Sequence, residues 1–112
     1  VTLRFFENGD PDDVHGTYYQ SMINISYKDL VSIFGEPHSM GDGYKVDAEW
    51  ILQFNTPEGP VVATIYNYKD GKNYLGRSGM ATSRIRDWHI GGKEPIVTTL
   101  IKQAILITPR SK

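Results

Sequence analysis

Apolar and polar positions alternate most regularly near the middle of the chain, where Val46, Ala48, Trp50, Leu52 and Phe54 interleave with Lys45, Asp47, Glu49 and Gln53. A period of two sends one set to each face of a sheet, so residues 44–54 read as a half-buried strand. The loop T-P-E-G-P at 56–60 then predicts a hairpin, with 61–68 returning as its partner. Residues 84–90 read as a further strand, and 15–25, rich in β-branched and aromatic residues, as one or two short ones. The first six residues are β-prone, and N-G-D-P-D-D at 8–13 is dense turn chemistry. Residues 72–83 form a long polar connection with a short strand near Tyr74, and H-S-M-G-D-G at 38–43 forms a loop.

Two segments carry a helical signature instead. Ser26-Tyr27-Lys28-Asp29 resembles a capping box with Asp in place of Glu, followed by Leu30, Val31, Ile33 and Phe34, then Gly35 and Pro37 as stop signals. This predicts a helix over 27–34. Glu94-Pro95 opens a second helix, whose stripe of Ile96, Val97, Leu100, Ile101, Ala104 and Ile105 has i, i+3/i+4 spacing and runs out at Pro109. The order of elements predicts an α+β fold, an antiparallel β-sheet with two helices packed on one face. Residues 1–112 form a single domain, with 109–112 a loose tail. Helices on one side leave the other sheet face to water, a ligand or another subunit.

Composition narrows the possibilities. A net charge of −1 argues against a partner such as long DNA or RNA, yet permits a local basic pocket. The absence of cysteine removes disulfides, thiol nucleophiles and cysteine-ligated metals. No apolar run reaches membrane-spanning length and Val1 begins no secretory pattern, which points to the cytoplasm. Tyr and Trp outnumber Phe, and both carry the polar handles that suit a binding surface.

The uncovered face is where chemistry is expected. Lys45, Asp47 and Glu49 lie opposite the core set of the central strand, and Thr64, Tyr66 and Tyr68 opposite Val61, Ala63 and Ile65. In 84–90 either Trp88 or His89 joins them, because a one-residue shift exchanges the two faces. Cross-strand pairing of tyrosines on an exposed sheet is the plainest explanation of such a patch. His15, His38 and His89 lack metal-ligand spacing, and no nucleophile motif accompanies His89, so no metal, cofactor or catalytic residue is predicted. Asp47 and Glu49, on one side of a strand, form a pair of the kind used in acid–base work, although alternating charges on a solvated face are commoner. The junction D-W-H-I-G-G-K at 87–93 adds glycines just before a helix, where free backbone N–H groups favour anions. Rings that stack on bases and a lysine for phosphate turn this combination toward a nucleotide-like ligand.

The motifs G-T-Y-Y-Q (16–20), I-S-Y-K-D-L-V-S-I-F-G-E-P (25–37), D-G-Y-K-V-D-A-E-W (42–50), V-A-T-I-Y-N-Y-K (62–69) and W-H-I-G-G (88–92) resemble a widespread family of small phage-encoded proteins. Among named groups they are most similar to the fourth anti-CBASS family, whose members oligomerise and sequester cyclic dinucleotide immune signals without hydrolysing them. The similarity spans residues 16–92; the first fifteen residues and the helix after Lys93 lie outside it. The resemblance implies a phage immune-evasion protein acting as a cyclic nucleotide sponge in the host cytoplasm, a homo-oligomer rather than an enzyme. It implies stacking by Tyr66, Tyr68 and Trp88, phosphate contacts from Lys45 and Lys69, and base-edge or sugar contacts from Asp47, Glu49, Asn67 and His89. Gly91 and Gly92 would give backbone access to the ligand. Two alternatives stand beside it: an inhibitor or structural accessory that binds another protein through the aromatic face, and a small nucleotide hydrolase using His89 or Glu49.

Overall fold

The computed structural model describes residues 6–9, 14–38 and 45–108. Residues 1–5, 10–13, 39–44 and 109–112 lie outside the described residues, and with them most of the β-prone start, the turn, the loop and the tail expected from the sequence. What is described is an α+β fold. Its strands are β1 (Phe6–Asn8), β2 (Tyr18–Asn24), β3 (Glu49–Thr56), β4 (Gly59–Tyr66) and β5 (Asp87–Gly92). They form one antiparallel sheet in the order β1-β3-β4-β5-β2. The helices are α1 (Tyr27–Phe34), α2 (Lys72–Leu75) and α3 (Ile96–Ile107).

Alternation decides which sheet face is dry. Trp50, Leu52 and Phe54 of β3, Ala63 and Ile65 of β4, and Trp88 and Ile90 of β5 point to one side. There they meet Leu30, Ile33 and Phe34 of α1 and Val97, Leu100, Ile101 and Ala104 of α3 in one apolar core. Two indoles dominate it, Trp50 and Trp88, edge to face at 5.3 Å between centroids. Each satisfies its N–H on backbone flanking α1: Trp50 Nε1 donates to the Gly35 carbonyl at 2.8 Å, and Trp88 Nε1 to the Ile25 carbonyl at 3.0 Å. The two tryptophans therefore pin both ends of α1 to the sheet while their rings fill the core.

The cap of α1 follows its sequence. Ser26 has extended backbone, and its hydroxyl accepts the Asp29 N–H at 3.1 Å, satisfying one of the free donors of the first turn. Ser26→Ala should lower the unfolding free energy by about 1 kcal/mol, read as a fall in denaturant midpoint at unchanged slope.

Three boundaries differ from the hydropathy pattern, each for a local reason. The alternation from residue 45 onward becomes strand only at Glu49, because the N–H groups of Asp47 and Ala48 are held by the side chain of Asn67, at 2.7 and 3.1 Å, rather than by a neighbouring strand. The strand read from residue 84 begins at Asp87, since Thr82–Arg84 closes a 3-10 turn that drops Ile85 into the core. The connection between β4 and β5 holds no strand at Tyr74; it contains the single turn α2, where Gly71 begins a local excursion that returns at Met80. Among the described residues no helix is long and apolar enough to cross a membrane.

Candidate functional site

On the face opposite the core, register brings together residues that are distant in sequence. Tyr66 of β4 lies opposite His89 of β5, and Glu49 of β3 lies opposite Tyr66. On the far side of β5, Tyr19 pairs with Gly91 and Met22 with His89. Residues three apart share a face here only because Gln20 is an extra residue, where the β2–β5 register shifts between Tyr19 and Ser21. The bulge is what delivers Tyr19 to the open face.

His89 sits at the centre of this cluster. Tyr66 stacks on the imidazole at 5.4 Å and 21°, while Tyr19 and Tyr68 meet it edge-on at 5.2 and 5.6 Å. The four side chains line a shallow cavity of about 330 Å³. Gly91 has a steric role beneath it: a methyl group there would overlap the Thr64 hydroxyl and crowd the Tyr66 ring. The Lys69 ammonium lies 5.3 Å from the ring centres of both Tyr68, which lines the cavity, and Tyr74, a cation held between two π faces.

Burial keeps His89 easier to deprotonate than a free histidine, opposed in part by Asp70. Its Nδ1 is buried and has no hydrogen-bond partner among the described residues. Tyr66 is pushed to higher pKa by burial, then by Glu49 and the neighbouring tyrosines, and stays a neutral phenol near pH 7. His38, which bonds the start of β3 ahead of its pairing with β1, is likewise lowered by burial; its Nδ1 accepts the Ile51 N–H at 3.0 Å, which requires an unprotonated nitrogen.

These two histidines predict a pH dependence. Both pKa values are lower folded than unfolded, so between them and about 6.5 the unfolded chain binds more protons. Stability should be full above about pH 6.5 and fall as the pH drops through the folded values. Denaturant titrations from neutral pH down to about pH 5, still above the usual carboxylate range, should show a falling midpoint. His38→Asn, which keeps an acceptor near the Nδ1 position, should flatten part of that fall; a midpoint that rises on acidification would contradict the assignment.

Of the residues predicted for the site, the structure brings together Tyr66, Tyr68, His89 and Glu49 on the open face, with Lys69 against the Tyr68 ring. Others it assigns elsewhere. Trp88 is 0% exposed in the core, so of the two registers the one with His89 outward is realised, and the stacking role implied for Trp88 is corrected. Asn67 and Asp47 are buried in a loop-fixing network: Asn67 Nδ2 donates to Asp47 Oδ1 at 2.9 Å and to Asp70 Oδ1 at 3.0 Å, and Asp47 Oδ2 accepts the Asn73 N–H at 3.1 Å. Their hydrogen-bonding capacity goes to structure, and base-edge roles for them are likewise corrected. Lys45 lies beside this network, its carbonyl accepting the Lys69 N–H at 2.8 Å.

Gly91 and Gly92 are the last two residues of β5, with strands on both sides, rather than a turn at a helix start. Gly92 faces the core, where a methyl would overlap Val97. Helix α3 begins only at Ile96, behind Pro95. The glycines are therefore packing positions, and the anion cradle expected at 91–93 is corrected. Tyr19 is the site residue that sequence reasoning missed. Its tandem tyrosines were a signal, but only the non-local pairing of β2 with β5 and the bulge place one of them beside His89.

Comparison with protein-family models, with curated proteins and with solved structures finds no match for this chain.

Proposed function

We propose that the protein binds a cyclic nucleotide, with a base seated among Tyr19, Tyr66, Tyr68 and His89, and retains it without cleavage. The observation that carries this reading is the aromatic cavity centred on His89, with the Lys69 ammonium against Tyr68, one of its lining rings. Each ring can stack a base at about 1–3 kcal/mol, and the Lys69 ammonium beside Tyr68 suits a phosphate. At about 330 Å³ the cavity is at the small end of ligand sites, roughly the room one base requires. A cyclic dinucleotide would present its second base outside, to a second copy of the chain. This supports a homo-oligomeric phage sponge that removes an immune signal from the host cytoplasm. Rings that grip the ground state favour slow release over turnover.

The test is to incubate the protein with a panel of cyclic di- and trinucleotides, remove unbound ligand, heat-denature and analyse what is released. Intact nucleotide is the expected product. Cleaved nucleotide would instead support a hydrolase, and failure to retain any member of the panel would contradict both. One observation favours a second reading, a protein-binding module: edge strand β2 exposes Tyr18, Tyr19 and Met22 at 59%, 51% and 46%. That reading predicts no nucleotide retention.

A further inference from the structure

The connection between β4 and β5 runs over residues 67–86, although antiparallel neighbours need only a few residues to join. It is not there to enlarge the core, to which it gives only Ile85. Its base is nonetheless held firmly, by the Asn67–Asp47–Asn73 network and by the bridge between Gly71 and Met80. On this ordered base it gathers charge of one sign. Five of the chain's twelve Lys and Arg residues lie within it but only one of its thirteen Asp and Glu, so a basic segment sits in a chain of net charge −1.

Four of those cations, Lys72, Arg77, Arg84 and Arg86, converge on an open groove of about 770 Å³ with no carboxylate in its lining among the described residues. Ser78 adds a hydroxyl to the same wall. The acidic residues nearest in sequence have other partners: Asp70 accepts from Asn67, and Asp87 accepts from Asn24 at 2.9 Å. Among the described residues Arg86 reaches the Asn24 amide oxygen, at 3.5 Å, and one such contact leaves its guanidinium donors to spare. Like charges left facing one another across a groove repel, and a multivalent anion between them would relieve that repulsion.

We propose that this groove is a second binding site, for a compact oligophosphate. Three guanidinium forks match phosphate oxygens in pairs, and Lys72 supplies a point charge. The extent of the patch selects the ligand class. Outside this connection the chain is net acidic, and beyond roughly 10 Å an extended nucleic-acid backbone would meet repulsion rather than further contacts. The charge lies within one loop, which fits a short chain of linked phosphates. The site is independent of the aromatic cavity, and failure of either proposal leaves the other standing.

Inorganic tripolyphosphate is the probe, titrated calorimetrically into the whole protein at low and at higher ionic strength. The expected result is saturable binding that weakens steeply with salt. Arg77→Ala and Arg84→Ala should each weaken it about tenfold, and the Arg77→Ala/Arg84→Ala/Arg86→Ala variant should abolish it. Lys102→Ala, which removes an exposed charge from α3, should leave it unchanged. The replaced side chains are exposed, so melting temperatures should not move; if the triple variant fails to fold, the single variants carry the test. No saturable binding by the unaltered protein, or undiminished binding by both single variants, would overturn the proposal. So would tighter binding of a short single-stranded oligonucleotide than of tripolyphosphate.

Discussion

Asn67→Ala should destabilise the protein by about 3–5 kcal/mol, a large part of the roughly 5–15 kcal/mol that holds a domain of this kind together. The amide is 0% exposed and makes four hydrogen bonds. Its oxygen accepts two backbone N–H groups at the entry to β3, and its nitrogen donates to Asp47 and Asp70. Alanine would leave two buried donors unpaired, about 1–3 kcal/mol each, and strip Asp47 of its side-chain donor. The loss should appear as a much lower denaturant midpoint. Asn67→Asp separates hydrogen bonding from shape. It keeps an acceptor but turns an oxygen toward Asp47 and Asp70, so its defect should ease on mild acidification. Near-normal stability in both variants would show that the network does not organise the loop.

Tyr66→Ala is predicted to have the largest effect on binding, a roughly 10–100-fold loss of affinity for a retained cyclic nucleotide. The phenol stacks on His89 and lines the cavity, so its removal takes away one stacking surface and releases the imidazole from its orientation. Tyr66→Phe keeps the ring and should lose little. The alanine variant should remain folded, because Tyr66 is only partly buried and lies off the core face. Undiminished affinity in Tyr66→Ala, measured on folded protein, would place the ligand elsewhere.

The physical basis of what the sequence discloses differs from element to element. Helix α1 is written in neighbouring residues, with Ser26 before it and Gly35 after it, and the structure reproduces it from Tyr27 to Phe34. The β3–β4 hairpin is equally local, and its alternation correctly separates Trp50 from Glu49. The orientation of Trp88 is not local. Period two leaves two phases for β5, and only pairing with β4, together with the Ile25 carbonyl awaiting the indole N–H, selects the buried one. Asp47 shows a different limit. Alternation assigns it to the open face, but a side chain twenty residues away takes over its backbone before the strand begins. Tyr19 depends on a one-residue bulge in a strand that closes the sheet from the other end of the chain. The glycines at 91–92 attract attention as an anion loop, yet what they supply is the absence of a side chain, once toward Thr64 and Tyr66 and once toward Val97.

The central proposal is that a nucleotide base rests on the open sheet face around His89. Its most direct test is an NMR titration of the aromatic side chains with the cyclic nucleotide panel. Ring signals of Tyr19, Tyr66, Tyr68 and His89 should shift and saturate together with at least one member, while the buried indoles of Trp50 and Trp88 stay in place. If no member moves those four rings, or if the shifts fall on other residues, the aromatic cavity is not the binding site.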